Sequence, residues 1–211
     1  AYLKMPMDQD MVLRPRDLLL AHREVLSQCG GKEKGLRVAE IANKFPRVET
    51  VLASIKEKYE YVGKTFSIVV PEKIEQIIEE GQALKHCLDR SDRYFERIAN
   101  QESYIVFLRR TKAMEQPYYT LEIEPDGTTR QKRTVGDNQN NDYHRAEKFL
   151  KKWQAAIRPR LSQEDFERQE ISRQLRMYEL ESLRNDKVTV HGGIHAGELL
   201  ADILEADLME V

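Results

Sequence analysis

Apolar positions along the chain change their period several times, and each change marks an element. Over residues 10–29, Leu13, Leu19, Leu20, Val25 and Leu26 predict a helix that stops at Gly30-Gly31. Pro15 lies near its start, where a missing N–H costs little. A second helical stretch, 36–58, carries Val38, Ile41, Val51, Leu52 and Ile55, and Pro46 must kink or split it. Alternation then takes over: Tyr59 and Tyr61, a turn at Gly63, then Phe66, Ile68 and Val70 predict a hairpin ending at Pro71. Pro71 opens the next helix, whose stripe is Ile74, Ile77, Ile78 and Leu84. Gly81 inside that stripe costs about 1 kcal/mol relative to Ala, which points to close packing or a break. A short helix over 91–100 takes Ser91 as its N-cap and places Tyr94, Phe95 and Ile98 on one side.

The strongest strand pattern follows. Tyr104 to Leu108 is aromatic and β-branched, Tyr118 to Ile123 follows the Pro117 turn, and Asp126-Gly127 leads into a third strand, Thr128 to Val135. Beyond a polar loop at 136–141 the chain turns helical over 142–157, with Phe149, Leu150 and Trp153, and over the charged stretch 162–184. A short segment, Val188 to Val190, and His191-Gly192-Gly193 precede a last helix, 196–208, which sets Leu199, Leu200, Ile203 and Leu204 beside Glu198, Asp202 and Glu205. Strands in the middle with helices on either side imply an α+β fold: a small antiparallel sheet of three to five strands with helices packed on it. The expected organisation is an N-terminal helical segment at 1–58, a core domain at 59–157 and a C-terminal helical extension at 158–211.

Charge changes this picture only locally. The 211 residues carry 34 Lys+Arg against 36 Asp+Glu, so a bulk polycation is excluded and any nucleic-acid contact must come from a patch. Charged residues reach 33 % against 40 % hydrophobic, polar for a globular chain but with too many apolar clusters for disorder. Two cysteines, Cys29 and Cys87, favour a reducing cytoplasm, and no apolar run is long enough to span a membrane. The opening Ala1-Tyr2-Leu3-Lys4-Met5-Pro6 lacks a signal peptide's apolar core and reads as a start inside a longer protein.

Candidate chemistry centres on Cys87 and the preceding His86. Neighbours on a helix point about 100° apart, so His86 serves as the base for Cys87 only if the helix ends there; otherwise Cys87 is a small buried hydrophobe. A metal site from His86, Cys87 and His144, or from His191 and His195, is weakly supported, because the Gly192-Gly193 pair breaks helical spacing and no CxxC or HExxH exists. No cofactor is implied. On the middle strand Tyr119, Leu121 and Ile123 share one face, while Tyr118, Thr120, Glu122 and Glu124 share the other. On the third strand either Gln131, Arg133 and Val135 or Arg130, Lys132 and Thr134 lie across from Thr120 and Glu122. One account is a solvated face with cross-strand ion pairs. A second is a phosphate-binding face in which Arg109, Arg110, Arg130, Lys132 and Arg133 work beside Tyr118, taking DNA or RNA as partner. The expected role is this binding or accessory one, with no reaction assigned; the alternative is an enzyme with Cys87 as nucleophile or His86 as acid/base, Gln131 donating to an oxyanion and Glu122 orienting the imidazole.

The order of these features resembles the PcfJ-like family. The resemblance rests on Phe66–Pro71, then Gly81, Leu84, His86 and Cys87, the helix with Tyr94, the strand ending at Arg109, Pro117–Glu122, Gln131 and the Asn-rich loop with Asn138, before Phe149 and Trp153. Tyr2-Leu3 and Arg14–His22 resemble the segment that precedes that domain. The resemblance implies a protein of conjugative plasmids and other mobile elements of Gram-positive bacteria, with partners in the conjugation or mobile-element machinery. It also implies that His86 and Cys87 form part of a site. Relatives carry Val-Gly and a Tyr soon after the Cys, where this chain has Leu88-Asp89 and a later Tyr94.

Overall fold

The computed structural model describes residues 31, 33–137, 143–191 and 195–211. The expected helix at 10–29 and Asn138 lie outside the described residues. Pro46 does split the second helical stretch: α1 covers 33–44 and α2 runs Val48–Tyr59. The hairpin follows as β1, Tyr61–Val62, and β2, Phe66–Val69. Next come α3, Ile74–Leu84, a 3-10 turn, Cys87–Asp89, and α4, Arg93–Ala99. Asp92, not Ser91, is the N-cap residue of α4. Then β3, Tyr104–Arg110, β4, Tyr119–Ile123, and β5, Thr129–Arg133, complete the strands. The chain ends in α5, Tyr143–Ile157, α6, Gln163–Asn185, and α7, Leu200–Asp207, the last shorter than its apolar pattern predicts.

The strands form one open sheet in sequence order, β1-β2-β3-β4-β5, with every neighbouring pair antiparallel. The fold is therefore α+β, with helices on a small antiparallel sheet. Gly127 turns the β4–β5 hairpin at φ 91°, a left-handed conformation that favours glycine, and a side chain there would also strike Ile157 Cδ1 at 2.7 Å. Met209 bonds Thr129 in both directions at 2.9 Å, so the C-terminal segment covers the outer edge of β5.

Strand register assigns the two faces. Phe66 and Ile68, Tyr104, Val106 and Leu108, and Tyr119, Leu121 and Ile123 share one side. Against it packs α5: Trp153 is fully buried and donates its indole N–H to the Tyr59 carbonyl at 2.8 Å, and Phe149 meets Phe66 with ring centres 5.8 Å apart. Apolar residues from α1 and α2, together with Met209, join the same core cluster as the residues of 59–157. Among the described residues no helix is long and apolar enough to cross a membrane.

Candidate functional site

The other face of the sheet carries Ile105, Phe107 and Arg109, then Thr120 and Glu122, then Gln131 and Arg133. What covers it begins with the end of α3. Lys85 adopts a left-handed conformation, φ 55°, and the amides of Lys85 and His86 bond the Gln82 and Gly81 carbonyls, so the helix closes and the chain reverses. Gly81 permits the reversal: a Cβ there would lie 2.7 Å from the Asp89 amide nitrogen. The 3-10 turn that follows separates the three side chains after the helix. His86 and Leu88 are buried, whereas Cys87 is exposed. The helix does end before His86, and Leu88 rather than Cys87 fills the core.

Four residues picked from the sequence converge. His86, Cys87, Glu122 and Gln131 line one cleft with Leu88, Tyr94, Ile105, Thr120 and Arg133. Its cavity volume is about 30 Å³, room for one or two waters as it stands. At the mouth, Cys87 Sγ lies 3.6 Å from the Tyr94 hydroxyl. Within it, His86 Nε2 lies 3.1 Å from Thr120 Oγ1, so the hydroxyl two residues before Glu122 orients the imidazole through that nitrogen. Gln131 sits directly across from Glu122 and donates Nε2–H to its carboxylate at 2.9 Å.

Glu122 is an ion in a closed setting. It is 2 % exposed and accepts from Arg97 Nη1 at 2.8 Å and Ser103 Oγ at 2.6 Å. Burial pushes its carboxyl up, but the Arg97 and Arg130 guanidiniums outweigh burial and hold it below the usual range. Arg97 and Arg130 also share Glu102 and, on α6, Glu179, which Arg93 meets as well. Next to this network, Glu124 is bonded by Arg176 and Gln169, yet burial keeps its carboxyl above the usual range. The Tyr94 phenol is pushed well above its usual value by burial, with Glu122 and Cys87 adding to the effect, so it stays protonated.

The expected basic face is differently arranged. Arg109 forms a bidentate pair with Glu80 of α3, at 2.7 and 2.5 Å, and is 6 % exposed. Arg130, 4 % exposed, lies among Glu102, Glu122, Glu124 and Glu179. Arg133 pairs with the buried Asp207 of α7, and the half-buried Lys132 covers the Tyr143 ring at 4.6 Å. Tyr118 is buried and stacked on Phe66. Of the six residues, Arg110 alone is exposed, its guanidinium 4.5 Å from the Tyr118 ring centre. The face is not solvated: all five residues of β4 are buried.

Sequence reasoning missed Glu80, Arg97 and Glu179. Glu80 had a signal, since it interrupts the apolar stripe of α3 three residues after Ile77. Glu179 had none, because α6 is charged nearly all round. Among the described residues no three His, Cys, Asp or Glu side chains gather as metal ligands, and His195 instead faces Glu198 at 3.3 Å.

Fold and cleft together define an α+β protein with a thiol, a buried imidazole and a buried carboxylate–amide pair around one opening. The chain belongs to the PcfJ-like protein family, whose model matches residues 1–147. α6 and α7, and with them Glu179 and Asp207, lie beyond the matched residues. The chain is also 21 % identical over 156 residues to an uncharacterized protein of Listeria innocua serovar 6a. That match covers 74 % of this chain and 32 % of the relative, so the chain spans about a third of the relative's length. No solved structure matches the chain.

Proposed function

We propose that the protein is an enzyme that uses Cys87 as a nucleophile toward an acyl carbon, with the cleft as its active site. The observation that carries this reading is the position of the thiol: exposed, 3.6 Å from a protonated phenol, and on the same cleft as a His86 imidazole oriented by Thr120. A phenol that keeps its proton donates to sulfur and favours the thiolate, the form that attacks. The thiol proton passes to the imidazole, attack forms a C–S bond as the bond from the acyl carbon to the leaving group breaks, the leaving group departs with that proton, and water then cleaves the thioester to a carboxylic acid and the thiol. Gln131 is fixed by Glu122, and its Nε2 carries a second N–H able to meet an oxyanion in the cleft.

The test is the pH dependence of Cys87 alkylation by iodoacetamide, followed by mass spectrometry on the intact chain. A thiol favoured by one pKa unit reacts about threefold faster near neutrality than glutathione, since the larger thiolate fraction is partly offset by lower nucleophilicity, and Tyr94→Phe removes most of that advantage. A Cys87 rate equal to that of glutathione and unaffected by Tyr94→Phe overturns the reading.

A nucleic-acid partner, and with it a place beside mobile-element machinery, draws on the smaller surface where exposed Arg110 covers Tyr118. Salt-dependent binding of a single-stranded oligonucleotide that falls on Arg110→Glu supports that role, and the absence of binding at low salt removes it. A reducing cytoplasm is the compartment in which an exposed thiol such as Cys87 persists.

A further inference from the structure

The polar face of the sheet is not covered evenly. Beyond the Cys87 cleft, a groove of about 410 Å³ opens between α3 and the loop that follows β3. Its floor is the cross-strand pair Val69 and Phe107, the Phe107 ring lying under the Arg109 guanidinium at 4.6 Å, and Pro71, Ala83, Met114 and Pro117 line its sides. Apolar floors of this kind bury the side chains of a partner, and the rim decides which partner is admitted.

The rim is acidic. Glu60, Glu72, Glu79, Glu80 and Glu115 line the groove with two cations, Lys56 and Arg109, and Lys34 beyond the lining bonds Glu79 at 2.7 Å, so five carboxylates meet three cations. Glu80 and Arg109 cancel, since they form the buried bidentate pair. Lys56 bonds Glu72 and lies 4.0 Å from Glu60, so one cation serves two carboxylates at that end. The carboxylates are also spread out. Among the described residues no three of them converge as metal ligands, so the rim suits cations spaced along a chain rather than a single ion.

We propose that this groove docks an extended basic peptide segment of a partner protein, with an apolar side chain seated on Val69 between Pro71, Met114 and Pro117 and flanking Lys or Arg side chains on the rim carboxylates. Acidic peptides and nucleic-acid backbones meet repulsion from the same carboxylates. The inference does not depend on Cys87 being reactive. It does give the cleft a neighbour, because Phe107 pairs across the sheet with Thr120, the residue that holds His86.

The test is fluorescence anisotropy on the whole chain with two labelled decapeptides that share central Leu and Met residues, one flanked by Lys and the other by Glu. The basic peptide binds at low salt, weakens as salt is added, and is preferred over the acidic one. The double variant Glu72→Lys, Glu115→Lys weakens it by about tenfold or more while circular dichroism and the thermal midpoint hold, as expected for a rim-charge effect. Met114→Asp weakens it at the apolar wall. Equal affinity for the two peptides, no binding of the basic peptide at low salt, or indifference to the rim reversal each overturns the proposal. None of these results bears on the rate of Cys87 alkylation.

Discussion

The two faces of one small sheet are closed by different physics. On the side covered by α5, rings and branched chains exclude water, and the Trp153 indole N–H and the Tyr59 hydroxyl reach backbone carbonyls. On the side covered by α3 and α4, closure depends on arginines matched to carboxylates: Arg109 to Glu80, and Arg97 and Arg130 to Glu102, Glu122 and Glu179. An apolar face tolerates small shifts of its neighbours, whereas a buried ion is stabilised only at short range and with its lone pairs filled. The polar face therefore fixes particular atoms in place, and the cleft with Cys87 lies on that face.

Equal damage to the two faces should separate them by pH. Trp153→Ala removes a fully buried ring and is expected to cost about 3–5 kcal/mol in urea unfolding, at all pH values where the protein folds. Glu122→Ala leaves Arg97 and Arg130 partly uncompensated and is expected to cost about 3–5 kcal/mol as well, but only where the wild-type carboxyl is ionised. The folded pKa of Glu122 lies below its unfolded value, so its contribution is complete above about pH 5 and is lost as pH falls through the folded value. Unfolding curves at pH 7 and pH 3.5 that shrink the Trp153→Ala and Glu122→Ala penalties alike would erase the distinction.

Smaller changes sharpen it. Gly127→Ala places a side chain at φ 91° and against Ile157, with an expected loss of roughly 1–3 kcal/mol measured by thermal unfolding. Thr120→Val leaves the buried His86 Nε2 without its hydroxyl neighbour and should cost about 1–2 kcal/mol, measured by urea unfolding. The exposed Arg110→Glu should change stability by less than about 0.5 kcal/mol, and a larger effect would mean that its place over Tyr118 is structural.

Several parts of this arrangement were legible in the chain. Period-two alternation at Tyr119, Leu121 and Ile123 gave the apolar side of β4, and Asp126-Gly127 gave the hairpin that sets Gln131 opposite Glu122. Gly81 announced the close approach of the turn carrying Cys87. The basic face misled for a physical reason. A run of arginines on strand ends looks the same whether it meets water or carboxylates. Those that meet Arg109 and Arg133 come from α3 and α7, far away in sequence, and Arg130 adds Glu102 and Glu179 to its sequence neighbours Glu122 and Glu124.

The sequence by itself determined the element types, the α+β class and which residues share a strand face, because these follow from local period and turn chemistry. Only the tertiary structure decided that Cys87 points outward while Leu88 points in, that His86 answers to Thr120, and that Arg109 and Arg130 face inward. Each of those outcomes depends on where distant segments come to rest, and burial and ion pairing are properties of that arrangement rather than of any stretch of chain.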